Sequence, residues 1–442
     1  MSAPRTDSAP ATWTNWSREL RCAPARVVRP TSTAEVAAAI VGATDAGRRV
    51  RPTGSGHSFT PLVPTDGVLL DLGGMDRVLG VDHATARVRV EAGITLGSLA
   101  AALVERGLAF ANLGDIDRQT LAGALATGTH GTGQTLGNLA SQVVGLQIVD
   151  GRGEVHDLGP GDGDRFLAAR VGLGALGVVT EVTLQAVPAY RLRGHDRVEP
   201  LGEVLDGYHD RAAEHRHFEA YAFPYSARAM TRTNDPVDAP AAPPGPVSAW
   251  VHDRLLTTYA LEAICRLGRR APALIPSLNR TVSRLAGAPP KVDEAHRVFA
   301  SARDVRFTEM ELALPREAGI PFVREVLRFV RDQHLPINFP IEIRTAAADD
   351  ALLSTAHGRD SVYVAVHAFV GMPFEAYFRG VWERARDHAA RPHWGKRHFG
   401  SAESLRPLYP AWDRFAAVRA GFDPDGRFRN DHLDRVLGPV ER

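Results

Sequence analysis

The sequence has few cysteines, no long apolar run and almost no net charge. Its 442 residues include two cysteines, Cys22 and Cys265, which cannot form a disulfide framework and are typical of a reducing compartment. Lysine and arginine total 52 against 51 aspartates and glutamates, so no overall field attracts the chain to nucleic acid or to anionic lipid. No apolar stretch approaches the ~18 residues of a membrane span, and residues 1–16 lack the apolar core of a signal peptide. These absences predict a cytoplasmic protein with no membrane span and no nucleic-acid partner.

What is present predicts an α+β protein of more than one domain. The length allows two or three domains, and 44% hydrophobic with 23% charged residues is ordinary for a globular chain. Ser32-x-x-Glu35 is a capping box that predicts a helix over 32–46. "ARVRVEAG" (86–93) alternates apolar and charged residues, which predicts a half-buried strand. The composition changes near Pro188, and a proline-rich stretch over 235–247 is predicted as a loop.

The stretch "RPTGSGHSF" (51–59) places a histidine directly after two glycines. Glycine allows positive φ and lets another molecule approach the backbone without a Cβ in the way. Taken alone, the stretch is equally typical of a tight turn with a surface histidine.

Two apparent nucleotide motifs do not fit their mechanisms. "GLGALG" (172–177) matches the dinucleotide fingerprint, but a helix is predicted before it and a strand after it, which is the reverse of the required order. "GTHGTGQT" (128–135) resembles a phosphate loop, yet Gln134 stands where that loop needs lysine. Its glycines nevertheless leave backbone N–H groups open, as in a nest for an anionic pyrophosphate.

Three polar side chains stand on two predicted strands near the end of the chain. In "FPIEIRT" (339–345), Glu342 and Arg344 share one face, either as a solvated ion pair or as a wall that holds a substrate oxygen. In "VYVAVHAF", His367 is either a core histidine or a catalytic base. The 17 histidines show no metal-ligand spacing, so no metal is predicted.

Six stretches, in order from residue 51 to residue 430, resemble one family. They are "RPTGSGHSF", "TLAGALATGTHGTG", "GALGVVTEVTL", "FPIEIR", "RPHWGK" and "FDPDGRFRN". In this the chain is similar to the aldonolactone oxidoreductases of the vanillyl-alcohol-oxidase flavoprotein superfamily. The resemblance implies an FAD-binding domain in two parts, of the PCMH type, with an α+β substrate-binding cap. It implies an FAD domain over 18–188, a cap over 189–394, and a segment over 395–442 that returns to the FAD domain.

The resemblance also implies roles for individual residues. His57 would carry the flavin on its 8α-methyl group, and the 51–58 and 128–131 loops would wrap the FAD pyrophosphate. Gly114 would leave space for O2 beside the flavin. The residues implied to bind the cofactor are Pro52, Thr53, Gly54, Ser55, Gly56, His57, Ser58, Gly114, Asp117, Thr120, Gly123, Thr127, Gly128, Thr129, His130, Gly131, Val179 and Lys396.

By the same resemblance, Glu342, Arg344, Lys396 and His367 form the catalytic group. Arg344 would stabilise the developing alkoxide, Glu342 would orient it, Lys396 would lie near flavin N1/C2=O, and His367 would be the base. The implied reaction is oxidation of a sugar-derived 1,4-lactone at its C2 hydroxyl, with O2 or a dye- or cytochrome-like acceptor. Alternatives are an alditol oxidase that acts on xylitol or sorbitol, or a flavin-binding protein without turnover. Asp117 or Thr120 stands near the place where alditol oxidases carry a serine, which favours the lactone.

Overall fold

The computed structural model describes residues 12–243, 245, 259–300 and 305–440. Its amino-terminal region, up to Pro188, alternates short strands and short helices. In chain order these are β1 (Trp13–Thr14), β2 (Arg21–Cys22), β3 (Arg26–Val28), α1 (Thr33–Asp45), β4 (Val50–Thr53), β5 (Val68–Asp71), β6 (Val78–Asp82), β7 (Arg87–Glu91), α2 (Leu96–Val104), β8 (Leu108–Ala109), α3 (Leu121–Ala126), β9 (Val143–Val149), β10 (Val155–Leu158), α4 (Asp164–Ala169), β11 (Val178–Gln185) and β12 (Val187–Pro188).

These strands form two main sheets. β3, β5 and β4 pair in parallel in that order, with α1 as the connection between β3 and β4. β10, β9, β11, β7 and β6 form an antiparallel sheet in that order. The predicted helix over 32–46 is confirmed, because Ser32 accepts a hydrogen bond from the Glu35 amide and caps α1. The predicted half-buried strand is confirmed as β7, in which Val88 and Val90 are buried between exposed arginines.

The second region, from Arg191 to Pro392, is built on one large sheet. Its elements are β13 (Arg191–Pro200), α5 (Leu201–Asp206), α6 (Tyr208–Glu214), β14 (His217–Ala222), β15 (Arg228–Pro236), α7 (Leu261–Arg270), α8 (Ile275–Leu285), β16 (Ala288–Glu294), α9 (Ala295–Phe299), β17 (Phe307–Pro315), α10 (Arg316–Asp332), β18 (Ile341–Ala346), β19 (Ser361–Phe369), α11 (Glu375–Ala385) and β20 (Arg391–Pro392). The eight strands are antiparallel, in the order β16-β13-β15-β14-β18-β19-β17-β20. β15 includes the first two residues of the proline-rich stretch predicted as a loop, and part of that stretch lies outside the described residues.

The central strands of this sheet have one apolar and one polar face, and both are buried. Met310 and Leu312 of β17 and Ile343 of β18 belong to the core that packs against α10 and α11. Because side chains alternate across a strand, Glu311 and Glu342 lie on the opposite face. Both carboxylates are nevertheless buried. The polar face is therefore covered by other parts of the chain rather than by solvent.

The carboxyl-terminal segment packs back on the amino-terminal region. It contains α12 (Ala402–Leu405), α13 (Trp412–Phe422) and α14 (Asp431–Leu437). Phe415 and Leu433 share one hydrophobic core with Val88 and Leu121. The segment therefore packs on the amino-terminal region, while its assignment to an FAD domain and the domain boundaries stay predictions.

Arg51 forms hydrogen bonds that join the carboxyl-terminal segment to the amino-terminal region. Its side chain is buried, and it donates to the carbonyl oxygens of Leu62 at 2.8 Å, Gly174 at 2.8 Å, Leu173 at 3.1 Å and Phe428 at 2.6 Å. Burial without a carboxylate in contact lowers the pKa of Arg51 to about 9. One buried guanidinium thus joins β4 to residues that lie far along the chain.

Asn430 reinforces this junction, since its side-chain amide donates to the carbonyl oxygens of Pro61, Leu62 and Pro64 at 3.0–3.1 Å. None of the helices in the described part of the chain is both long and apolar enough to cross a bilayer.

Candidate active site

Two adjoining cavities are present, the first within the amino-terminal region and the second between that region and the large sheet. The first has a volume of about 1120 Å³, including the space open to solvent, and is lined by residues of the 51–58 loop, α3 and the 172–177 turn. The second, of about 560 Å³, is lined by the polar face of the large sheet. Gln119 lines both cavities.

The 51–58 loop presents backbone donors to the first cavity. Its carbonyl groups turn toward the amino-terminal segment, where Gly56 accepts from the Trp16 amide at 2.8 Å and Ser58 from the Asn15 side chain at 3.0 Å. In the described part of the chain, the amides of residues 55–58 have no acceptor. Gly56 has φ of 68°, which glycine adopts without strain. Successive unpaired amides form a nest for an anion, and this fits the pyrophosphate of FAD.

Gly54 lets this loop lie directly against α3. A Cβ at Gly54 would lie 2.0 Å from Oγ1 of Thr120, which caps α3 by accepting from the Gly123 amide. Thr120, Gly123, Thr127 and Val179 all line the first cavity, as the sequence predicted for cofactor residues. Their cofactor contacts stay predictions.

The 128–131 loop was predicted to wrap the FAD pyrophosphate with open amides, but two of its amides are bonded within the protein. The amides of Gly128 and Thr129 donate to the carbonyl oxygens of Leu125 and Ala124 at 3.0 Å, so they close the end of α3. Gly128, with φ of 73°, has the left-handed backbone of a helix-terminating glycine. These two amides are therefore not open to a phosphate.

Besides Gly128, five predicted cofactor residues of the amino-terminal region do not line the first cavity. Thr129, His130 and Gly114 line the second cavity. Gly131 packs tightly, since a Cβ there would lie 2.4 Å from Oδ1 of Asn112. Asp117 lines neither cavity, and its carboxylate lies beside Gly97 at the start of α2.

His57 lies in the first cavity with a stacked neighbour. Its ring centroid is 5.7 Å from that of Trp16, with an interplanar angle of 25°. Burial, and then the charges of Lys396 and Arg118, lower the pKa of His57 to about 4. Its imidazole is therefore unprotonated at neutral pH, as covalent bond formation by a ring nitrogen requires.

In the second cavity, Arg344 is surrounded by carboxylates. Its Nε lies 2.8 Å from Glu219 Oε2, and its Nη2 lies 3.4 Å from Asp115 Oδ2 and in close contact with Glu342 Oε1. Burial would lower the pKa of Arg344, but Glu342, Asp115 and Glu219 together raise it well above its usual value. The arginine is therefore a fixed cation on the cavity wall, rather than half of a solvated ion pair.

Lys396 and His367 meet at Glu309 of β17. Lys396 Nζ pairs closely with Glu309 Oε2, and His367 Nε2 lies 3.5 Å from Glu309 Oε1 and 4.0 Å from Glu342 Oε2. Burial would raise the pKa of Glu309, but Lys396 and His367 outweigh it and lower this pKa to about 2. Glu309 also helps to raise the pKa of Lys396 against the effect of burial. The structure thus brings the four predicted catalytic residues together.

Glu311, two residues along the same strand face, pairs with His130. His130 Nε2 lies 3.1 Å from Glu311 Oε1, and the His130 ring stacks on Tyr363 with centroids 3.7 Å apart. With His393, these groups form a cluster whose possible ligand atoms lie within 4.8 Å of one another. His130 Nδ1 bonds to the Gly131 carbonyl, and His393 Nδ1 accepts the Gly395 amide. Hydrogen bonds therefore account for the cluster without an ion.

Five ionisable residues of this cavity or its edge were not predicted from the sequence: Asp115, Glu219, Glu309, Glu311 and His393. The signal for two of them was available, because "TEMEL" places Glu309 and Glu311 on the face opposite Met310 and Leu312. Asp115, Glu219 and His393 carried no such pattern.

Comparison with known proteins agrees with this geometry. Residues 24–159 match the family model of an FAD binding domain, and residues 182–436 match that of D-arabinono-1,4-lactone oxidase. The L-gulono-1,4-lactone dehydrogenase of Mycobacterium tuberculosis is 48% identical, over 97% of this chain and 99% of that protein. The L-gulonolactone oxidase of Bos taurus is 32% identical, over 96% and 97% of the two chains.

More distant relatives show the fold and the breadth of the group. The alditol oxidase of a Streptomyces species is 31% identical over 96% of this chain and 98% of that protein. The crystal structure of cholesterol oxidase from B. sterolicum superposes with a TM-score of 0.85 at 22% identity, over 97% and 96% of the chains. The predicted α+β fold, with its FAD-binding domain of the vanillyl-alcohol-oxidase type, is confirmed. With one model over more than half of its length and a relative nearly half identical from end to end, the chain belongs to the D-arabinono-1,4-lactone oxidase family and is an FAD-dependent oxidoreductase.

Proposed function

We propose that this enzyme oxidises a sugar-derived 1,4-lactone, of the L-gulono-1,4-lactone kind, at its C2 hydroxyl. The observation that carries the proposal is the buried polar sheet face, where Arg344, Lys396, Glu342 and His367 converge beside a cavity that fits FAD. The names of the curated relatives support the lactone. The C2 carbinol loses a hydride and a proton, and the 2-keto lactone that results tautomerises to an ene-diol of the ascorbate type.

FAD, when bound, supplies N5 as the acceptor of the hydride. The residues of this chain act on the other partner, the hydroxyl group. Arg344 is held in place by three carboxylates, so its remaining N–H donors stabilise negative charge on the C2 oxygen without reorganising. Glu342, in contact with Arg344, orients this donor and the hydroxyl.

His367 takes up the hydroxyl proton at Nε2. This atom is turned toward Glu309 and Glu342 at 3.5 and 4.0 Å, distances longer than a good hydrogen bond, so a substrate hydroxyl can compete for it. The two carboxylates then stabilise the imidazolium that forms.

Lys396 places a positive charge between the two cavities. It lines the second cavity, and its Nζ lies 5.4 Å from the ring centroid of Phe59, the residue that follows the 51–58 loop. A fixed cation at this position favours electron transfer toward the first cavity. We further propose that His57 carries the flavin covalently.

Turnover on a panel of lactones and polyols tests this proposal. We expect L-gulono-1,4-lactone to be oxidised faster than xylitol, measured anaerobically with a dye acceptor and then with O2 alone. Much faster oxidation of xylitol would show that the substrate is an alditol rather than a lactone, as the name of the Streptomyces alditol oxidase indicates for that relative. If no lactone or polyol bleaches the flavin, the protein binds flavin without turning over these substrates.

We expect the use of O2 as the electron acceptor to depend on the space left by Gly114. It lines the second cavity, and a Cβ there would lie 3.1 Å from the His130 carbonyl oxygen, which is tight but does not collide with a rigid side chain. We expect Gly114→Ala to slow O2-dependent turnover more than dye-dependent turnover. An equal effect on both would remove the proposed role of Gly114.

A further inference from the structure

Among the described residues that line the second cavity, the side chains of Lys396 and Arg344 are each paired with a carboxylate of this chain. Lys396 pairs with Glu309, and Arg344 contacts Glu219, Asp115 and Glu342. Both cations are largely buried. A negatively charged ligand would have to replace one of these internal pairs, which would leave a carboxylate buried and unpaired.

His130 offers a ligand no free ring nitrogen. Its Nδ1 lies 2.8 Å from the Gly131 carbonyl oxygen, and its Nε2 lies 3.1 Å from Glu311 Oε1. Both nitrogens are therefore already engaged by groups of this chain, and Glu311 is the carboxylate that holds the ring.

His393 does not add a further charge. Its Nδ1 accepts the Gly395 amide at 3.1 Å, and burial lowers the pKa of His393 to about 4. Among the described residues, four carboxylates line the cavity, those of Asp115, Glu309, Glu311 and Glu342. They face the two cations Lys396 and Arg344, which already pair with carboxylates of this chain.

We propose that this cavity selects uncharged ligands, so that it takes the closed lactone and rejects the ring-opened aldonate, with Glu309 and Glu311 as specificity-determining residues. This rests on the proposed lactone oxidation. Hydroxyl groups of a neutral sugar donate to these carboxylates, whereas an aldonate carboxylate meets like charge and, among the described lining residues, no unpaired lysine or arginine. The same repulsion assists the departure of an acidic product as its anion.

A matched pair of ligands tests the proposal on the wild-type holoenzyme. L-Gulonate and its neutral amide, L-gulonamide, have nearly the same shape but differ in charge. Their binding is measured by the change in flavin absorbance and by competition with the lactone substrate. We expect the dissociation constant of the gulonate to exceed that of the amide by about 30-fold or more. Equal or tighter binding of the gulonate overturns the proposal.

A variant connects this discrimination to the carboxylates. Glu311→Gln keeps an acceptor for His130 but removes one negative charge, so we expect it to reduce the gulonate-to-amide ratio by about fivefold or more. Glu105→Gln, at an exposed carboxylate on the surface, is the matched control and should keep the wild-type ratio. An unchanged ratio in Glu311→Gln would show that Glu311 does not determine the charge selection. If this variant does not fold, the ratio measured on the wild-type enzyme alone tests the proposal.

The outcomes separate this inference from the proposed function. If neither lactones nor polyols are oxidised while the amide still binds more tightly than the gulonate, the proposed reaction is wrong and the charge selection stands. If the lactone is oxidised while gulonate binds as well as the amide, the reaction stands and the charge selection is wrong.

Discussion

At the scale of single residues, the environment of His57 decides whether it can hold a flavin. Burial and two neighbouring cations keep its imidazole neutral, with a pKa of about 4. The unprotonated ring nitrogen is the nucleophile that attachment needs. The stacked Trp16 restricts the rotation of the ring.

We therefore expect wild-type protein denatured in SDS to retain flavin fluorescence, and His57→Ala to lose it. Electrophoresis followed by fluorescence imaging checks this directly. His83→Ala, at an exposed histidine, is the control and should keep the fluorescent band. Wild-type protein that releases its flavin in SDS would limit the 51–58 loop to non-covalent binding.

Glu309 controls the charge of Lys396. Burial favours the neutral amine, and Glu309 is the largest of the opposing effects that keep the pKa of Lys396 raised. In Glu309→Gln this pKa falls, so Lys396 loses its proton at lower pH. We expect the alkaline limb of the kcat–pH profile to move toward neutral pH by about one unit.

The matched control for this prediction is Glu262→Gln, which breaks an exposed pair with Arg266. It should keep the wild-type profile. If the profile of Glu309→Gln also coincides with that of the wild type, the charge of Lys396 does not depend on Glu309.

At the scale of elements, strand periodicity accounts both for what the sequence predicted and for what it missed. It placed Glu342 and Arg344 on one face of a strand, and the structure has them there. It could not show that this face is buried, because the cover comes from residues more than a hundred positions away, such as Asp115 and His130. A polar strand face usually faces water, so the alternation in β17 places its two glutamates on one face without showing that this face lines a site.

In the glycine-rich loop after Thr127, the sequence predicts open amides, but the structure has two of them hydrogen-bonded. The sequence predicts open phosphate donors there because glycines carry no side chains to cover their backbone N–H groups. α3 is only six residues long, yet its final carbonyl groups take the amides of Gly128 and Thr129. Short helices carry too little periodicity to be recognised in a sequence, and their ends cannot be placed either.

The contact between the 51–58 loop and α3 gives a test at this scale. In Gly54→Ala the new methyl group would collide with Oγ1 of Thr120, which lies 2.0 Å from the ideal Cβ position. We expect a loss of about 1–3 kcal/mol in stability and a lower flavin content of the purified protein, measured by the ratio of flavin to protein absorbance.

Two companion variants make this test specific. Thr120→Ala removes the colliding oxygen, at a cost of about 1 kcal/mol for the lost cap, and should restore flavin content to Gly54→Ala. Gly161→Ala, where a Cβ meets nothing within 4 Å, should behave as wild type. No recovery in the double variant would mean that Gly54 acts through something other than its contact with Thr120.

At the scale of the whole molecule, buried histidines make the fold sensitive to acid. Burial lowers the pKa of His217 to about 4, of His393 to about 4 and of His432 to about 3. The unfolded chain takes up these protons near pH 6.5, whereas the folded chain does not, so stability is complete above pH 6.5 and falls as the pH drops toward 4. Burial raises the pKa of Asp349 and Asp423, which opposes this trend with fewer groups.

We expect the thermal midpoint, followed by circular dichroism, to fall steadily from pH 7 to pH 4.5. Each buried histidine contributes up to about 1.4 kcal/mol per pH unit. His432→Gln should flatten part of this fall, and His83→Gln, at the surface, should not change it. A midpoint that stays constant over this range would contradict the prediction.

The junction at Arg51 has a consequence for the biosynthesis of the enzyme. Arg51 binds the carbonyl oxygen of Phe428, and Asn430 binds the segment from Pro61 to Pro64, so a wall of the first cavity joins residues from opposite ends of the sequence. A growing chain leaves the ribosome from its amino terminus, so this wall cannot be completed until residues 427–430 have been translated. We therefore expect the hydrogen bonds that fix Arg51 in this wall to form only after residues 427–430 have left the ribosome.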